Sequence, residues 1–190
     1  MVKIQLERQD AVSMIADVFR QHGYAGTTLS IITARTGMGK GSLYHFFPGG
    51  KAEMGDAVLA HIGRWFEERV FAPLDAADDP LAAIHTMLDS VDTYFQSGQR
   101  VCLVGLMALD ASRDAFAVAI AGYFSRWHQA LSLALSRAGV SEADADLRSH
   151  EMLAAIQGGL VLARALDQPS IFAETLSRLR ANLTLLSVQF

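Results

Sequence analysis

The sequence of 190 residues has one cysteine, Cys102, and four prolines. A lone thiol excludes an internal disulfide framework and a cysteine-built zinc site. It also makes a reducing, cytoplasmic setting the default expectation. With so little proline, nothing reads as a disordered tail. No run reaches the roughly 18 uncharged apolar residues of a membrane span. The longest candidate, 115–125, is too short, so no membrane association is expected. The opening MVKIQLERQD has no apolar stretch before Asp10 and is broken by charge at Glu7 and Arg8, unlike a secretory signal. Strand-like β-branched runs bounded by turns are missing too, while Ala and Leu dominate. The expected fold class is therefore all-α.

Acidic residues are absent from one window. The net charge is −4, but the balance is +1 over residues 1–60 and −5 over the remainder. No Asp or Glu stands between Asp17 and Glu53, whereas Arg20, Arg35, Lys40, Lys51, His22 and His45 do. Phosphates repel carboxylates, so an acid-free window inside an acidic chain suggests an anion-facing surface.

What is present is helical punctuation. Apolar residues at Val12, Ile15, Ala16, Val18 and Phe19 form one face of a helix over 9–21, and Gly23 stops it. Thr27-Thr28 supply an N-cap for a helix of about two turns, ended by Gly37. After the turn Gly37-Met38-Gly39, a second short helix runs from Lys40 to Phe46. Two short helices joined by a tight glycine-containing turn form a helix-turn-helix. Pro48-Gly49-Gly50 breaks the chain before a long helix from Lys51 to about Leu74. Further helices are expected over 81–96, 101–111, 114–137, 142–166 and 171–188, about nine in all. Asp79-Pro80 and Ser141…Asp144 serve as starts, and Gly98 and Gly139 as stops. The expected domains are an N-terminal helix-turn-helix DNA-binding domain of three helices, 1–50, and a C-terminal helical bundle for ligand binding and dimerisation, 51–190.

A recognition helix enters the major groove with its first residues nearest the base edges. Here these are Lys40, Gly41 and Ser42: Gly41 permits close approach, and Ser42 can donate to or accept from a base. Lys40, Tyr44 and His45 are placed to reach phosphates, as are Thr28 from the preceding helix start and Lys51 from the next. Leu43, Phe46 and Phe47 would seat the helix on Phe19, Leu29 and Ile32. For each contact there is a plainer alternative, namely a solvated lysine, a packed Tyr44, or His45 capping a helix end.

The run from Phe19 through Gly23-Tyr24, Thr27-Thr28-Leu29, Ile31-Ile32, Ala34 and Gly37-Met38-Gly39-Lys40-Gly41-Ser42-Leu43-Tyr44-His45-Phe46-Phe47 resembles the DNA-binding domain of the TetR family of repressors. The continuation Pro48-Gly49-Gly50-Lys51 resembles a multidrug-responsive branch of that family, to which 101–110 is weakly similar. The resemblance implies a homodimeric repressor on a palindromic operator, released by a small apolar or aromatic effector. An activator, or a ligand-independent DNA-binding regulator of the same fold, remains the alternative. Gly39 departs from the pattern, standing where the family often has a capping Ser or Thr. Thr33 and Arg35 depart as well, and Arg35 either touches a phosphate or is merely solvated.

The larger helical part offers Trp65, Met87, Val91, Tyr94, Phe95, Met107, Phe124, His128 and Gln157 as candidate ligand-pocket residues, with Asp92 as a further polar group. Most of the aromatic and Met content will be plain core. Small and leucine residues of the last two helices, Ala155, Gly159, Ala163, Leu176, Leu179 and Leu183, are candidates for a dimer interface. Ala154, Gly158, Leu160 and Leu186 accompany them, and intramolecular packing will claim some. Gly37–Ser42 is not a phosphate loop, because Gly41 follows the lysine and no strand precedes it. The six histidines, His22, His45, His61, His85, His128 and His150, show no His-Glu-x-x-His spacing and no paired ligands. Neither a metal nor a cofactor is expected, and no arrangement of nucleophile and base supports catalysis.

Overall fold

The structure, a computed structural model, describes residues 7–187, with side chains as far as Leu183. Val188 and the side chain of Leu186 lie outside the described part. The elements are α1 (Arg8–His22), α2 (Leu29–Thr36), α3 (Lys40–Phe46), α4 (Gly50–Phe66), a π turn (Glu67–Phe71), α5 (Ala72–Ala76), α6 (Pro80–Tyr94), α7 (Leu103–Leu109), a 3-10 turn (Asp114–Phe116), α8 (Ala117–Arg137), α9 (Glu142–Ala165) and α10 (Ser170–Ser187). The stretch 50–76 is one continuous helical run, so the described residues form the expected nine rods, with no strand among them.

The chain divides into two compact units. The first takes residues as far as Arg64 together with Leu103–Ala121, and the second takes Trp65–Cys102 and Gly122 onward. The division read from the sequence falls after residue 50, at the start of α4. The start of α4 and the segment around Asp110 and Phe116 both hold the loop before α2.

In the first unit, Val12, Ile15 and Phe19 of α1, Ile32 of α2, Leu43 and Phe47 around α3, and Met54 and Val58 of α4 are buried. The caps follow local chemistry. The Thr28 hydroxyl accepts from the Ile31 amide at 3.2 Å, and Gly37 closes α2 at φ 71°, its N–H bonded to the Thr33 carbonyl. Gly39 offers α3 no side-chain cap.

In the second unit, the run 67–71 widens into a π turn, and the Ala72 amide bonds to the Glu67 carbonyl five residues back. Pro73 follows and has no N–H for an ordinary fourth-neighbour bond, and the wider turn absorbs that loss. The Arg126 guanidinium fixes the turn from α8, donating to both Glu67 oxygens at 2.7 and 3.1 Å and to Asp75 at 2.6 Å. The side chain of Asp79 caps α6 at the Ala82 amide. That helix ends at Tyr94 rather than at Gln96, since Gln96 and Ser97 already take positive φ.

Candidate nucleic-acid interface

The turn motif exposes one side of α3 and buries the other. Lys40, Gly41, Ser42, Tyr44 and His45 face solvent, while Leu43 and Phe47 are buried. Tyr44 is 49% exposed. An added Cβ at Gly41 would meet nothing within 4 Å, which leaves open space at the start of the helix. Phe46, expected to seat the helix, is only half-buried. Its ring leans on His45, with centroids 5.4 Å apart. Thr28 and Arg35 are exposed on α2, and the Arg35 Nε donates to His22 Nε2 at 3.4 Å.

Two basic side chains hold this motif in place. Arg8 donates from Nε to the Phe46 carbonyl at 3.1 Å and pairs with Glu53 at 3.2 Å. Its guanidinium lies over the Phe47 ring. Glu53 also accepts from the Gly49 amide at 2.8 Å, and Gly50 turns at φ 68°, so the Pro-Gly-Gly break is pinned to α4. Lys51 donates to the Tyr24 and Thr27 carbonyls at 3.0 and 2.9 Å. This gives it a task the sequence did not reveal, because the ammonium seats the loop before α2. Thr27 is fully buried there and donates to the Gly23 carbonyl.

Asp110 and Phe116 complete the support, and no local sequence pattern tied either of them to the turn motif. The Ala25 amide donates to Asp110 at 3.4 Å, and the Phe116 ring meets Tyr24 edge-on at 4.9 Å. Burial pushes the Asp110 carboxyl up. Hydrogen bonds from Ser112 and Ala25 and the charge of Lys51 outweigh that, so its pKa lies below the ordinary 3.8.

Residues 13–58 match the family described as bacterial regulatory proteins, tetR family. Residues 80–176, half of the chain, match the C-terminal domain of LmrA/YxaF-like transcriptional regulators. The chain belongs to the TetR family of transcriptional regulators. It is 28% identical over 160 residues to the HTH-type transcriptional regulator LmrA of Bacillus subtilis, covering 82% of this chain and 85% of that one. The HTH-type regulator YxaF of the same organism is 26% identical over 160 residues, covering 82% and 84%. In fold, the chain is similar to a TetR transcriptional regulator from Legionella pneumophila, with TM-score 0.81, 17% identity and coverage of 97% and 98%. A second likeness, to a regulator from Chloroflexus aurantiacus, has TM-score 0.76, 23% identity and coverage of 93% of each chain. The two Bacillus relatives are HTH-type transcriptional regulators. Among the described residues no helix is long and apolar enough to cross a membrane.

The second unit of this TetR-family chain centres on Phe66, whose ring lies 4.8, 5.0 and 5.2 Å from those of Tyr94, Tyr123 and Trp127. Of the pocket candidates, Trp65 and Tyr94 pair at 4.5 Å. Met87, Val91 and Phe95 are fully buried, and the half-buried Phe124 meets Tyr123 at 5.0 Å. Met107 belongs to the first unit and is fully buried. His128 turns to α9 instead, its ring bonded to Ser149 and Asp146. Buried polar atoms without a hydrogen-bond partner include Tyr123 Oη, Trp127 Nε1, Gln157 Nε2 and Asp92 Oδ1. Each costs about 1–3 kcal/mol while unpaired. Burial also pushes the Tyr123 phenol well above its ordinary 10.0, with Cys102 and Tyr94 adding to the shift, so it stays a neutral donor.

Of the dimer candidates, Gly159, Ala163, Leu176 and Leu183 are buried within the chain. A Cβ on Gly159 would stand 3.0 Å from Thr175 Oγ1 of α10. Gly159 therefore serves α9–α10 packing. Ala155 and Leu179 are half-buried and line a groove of about 200 Å³ with Met152 and Asn182. The exposed apolar row of α9 is a different one: Leu147, Ala154, Gly158, Val161 and Leu162.

Proposed function

We propose that this regulator is a ligand-responsive repressor that binds a palindromic operator as a homodimer. The observation that carries the reading is the tip of α3. Lys40, Gly41 and Ser42 stand exposed on a helix held from behind by Leu43 and Phe47, within a window free of carboxylates. In this reading Gly41 and Ser42 face base edges, and Thr28, Arg35, Lys40, Tyr44 and His45 face the phosphates. Lys51 acts behind them, by holding the loop before α2.

A two-turn helix reads few base pairs, so two copies are needed on a two-fold site. The exposed row Leu147, Ala154, Gly158, Val161 and Leu162 supplies the apolar face for pairing. The effector is a small, largely apolar or aromatic molecule, as in a multidrug-responsive branch, and it carries polar groups that pair with Tyr123 and Trp127. A single helix, α4, carries Lys51 and Glu53 near its start and Trp65 and Phe66 at its end. An effector held by Trp65 and Phe66 thus acts on the helix that steadies the reading motif. It releases DNA only by binding the DNA-incompetent state more tightly, and DNA weakens effector binding by the same factor. A cytoplasmic location accords with this role.

The test begins by selecting an operator from random duplexes. Its affinity is then measured for the parent, for Lys40→Ala with Tyr44→Ala, and in the presence of planar aromatic compounds. The double substitution should weaken binding by about tenfold or more, and at least one compound should release DNA. Unchanged affinity in the double variant refutes the reading.

A further inference from the structure

Away from the aromatic cluster, His128 of α8 meets Asp146, Ser149 and His150 near the start of α9. The Ser149 side chain is fully buried and donates its one proton to the Asp146 carbonyl at 2.8 Å. When the Ser149 hydroxyl makes that bond, the ring is the donor in the contact of His128 Nδ1 with Ser149. This places the imidazole proton on Nδ1 and leaves Nε2 with a lone pair. That lone pair stands 3.0 Å from Oδ1 of Asp146, itself an acceptor. Two acceptors this close repel unless positive charge lies between them.

The nearby groups favour an ion over a proton. His150 stacks on His128 with ring centroids 3.9 Å apart, and its Nδ1 is 3.0 Å from the Asp146 carbonyl oxygen and 3.7 Å from Oδ2 of Asp146. A proton on His128 would satisfy one contact and press an imidazolium against a second imidazole. A divalent cation satisfies all three side chains together. The spacing of Asp146 and His150, four residues apart, puts them on one face of α9. The ligand atoms of all three lie within 4.8 Å of one another. Ligands of a tetrahedral ion with bonds of about 2.0–2.1 Å stand roughly 3.3 Å apart, so the exposed His150 must swing out of its stack on His128 and give up its contact with the Asp146 carbonyl to complete the set. Two imidazoles and one carboxylate suit the zinc class and not calcium or magnesium. Ser149 is a positioning residue, since its hydrogen bond fixes the tautomer that presents Nε2.

We propose that His128, Asp146 and His150 bind one divalent transition-metal ion of the zinc class, with water in the fourth position. Scanning the histidines for paired spacing misses this site, because His128 reaches it from another helix, 18 residues before Asp146.

The test titrates untagged, metal-free, full-length protein with Zn²⁺ by calorimetry and with Co²⁺ by visible absorption. One ion per chain should bind, with the strong bands of tetrahedral Co²⁺. His128→Ala and His150→Ala should each weaken binding at least tenfold and abolish those bands. Ser149→Ala should weaken binding by about tenfold. His150 is exposed, so His150→Ala should keep the helical circular dichroism of the parent, which separates lost ligation from lost folding. Failure of the parent to bind either ion, or equal affinity in parent and His150→Ala, overturns the proposal.

Discussion

The ammonium of Lys51 lies 4.5 Å from the centre of the Tyr24 ring and also donates to the Tyr24 carbonyl. One side chain thus grips both the face of Tyr24 and its backbone. The second acceptor, on Thr27, directly precedes the residue that caps α2. The start of α4 therefore sets the position from which the turn motif begins.

Replacing Lys51 by Met should destabilise the fold by about 1–3 kcal/mol, because two carbonyls lose a charged donor. Chemical denaturation measures this. Operator affinity should fall, but the dependence of log affinity on log salt should keep its slope. A direct phosphate contact would instead lower that slope by about one.

Gly55 sits where a side chain cannot. A Cβ there would lie 2.5 Å from the Phe116 ring and 3.0 Å from the Tyr24 ring. Gly55→Ala should cost roughly 1–3 kcal/mol as over-packing. Adding Phe116→Leu should recover part of that loss, and thermal denaturation of the single and double variants reads the recovery.

The first unit should be acid-sensitive in two stages. Burial lowers the pKa of His61 from the ordinary 6.5, and Arg64 and Arg20 lower it further. The unfolded chain then binds a proton at higher pH than the folded chain does, so this stability is complete above pH 6.5 and is lost as pH falls through that value towards the lowered folded one. His61→Gln should flatten this stage. Asp110, lowered from 3.8, contributes stability above that value and loses it as pH falls further, through its folded pKa. Asp110→Asn should remove the second stage. Denaturant midpoints across a pH series check both.

Tyr123→Phe removes a buried hydroxyl that has no partner. The ligand-free protein should gain about 1 kcal/mol, whereas release from DNA by a hydroxyl-pairing effector should require more of it. Melting temperature and effector titration of a labelled operator measure the two effects.

The reading motif was legible because its signals are local. The Thr28 cap acts on Ile31, three residues on, and Gly37 bonds Thr33, four residues back. The alternation of Leu43 and Phe47 with Lys40, Ser42 and Tyr44 follows one short helix. The end of α6 and the π turn were less legible, since the latter answers both to Pro73 and to an arginine far along the chain.

Helical spacing showed that Gly159, Ala163, Leu176 and Leu183 share apolar faces. It could not say which neighbour covers them: Gly159 stands against Thr175 of α10, while Leu147, Val161 and Leu162 stay exposed. The roles of Lys51, Asp110 and His128 have the same origin. Their partners stand 18–85 residues away along the sequence. Helix class, caps and the exposed tip of α3 follow from bonds closed within about one turn of chain. Which charge is consumed, which apolar face stays open and which histidines meet depend on contacts that exist only once distant helices have packed.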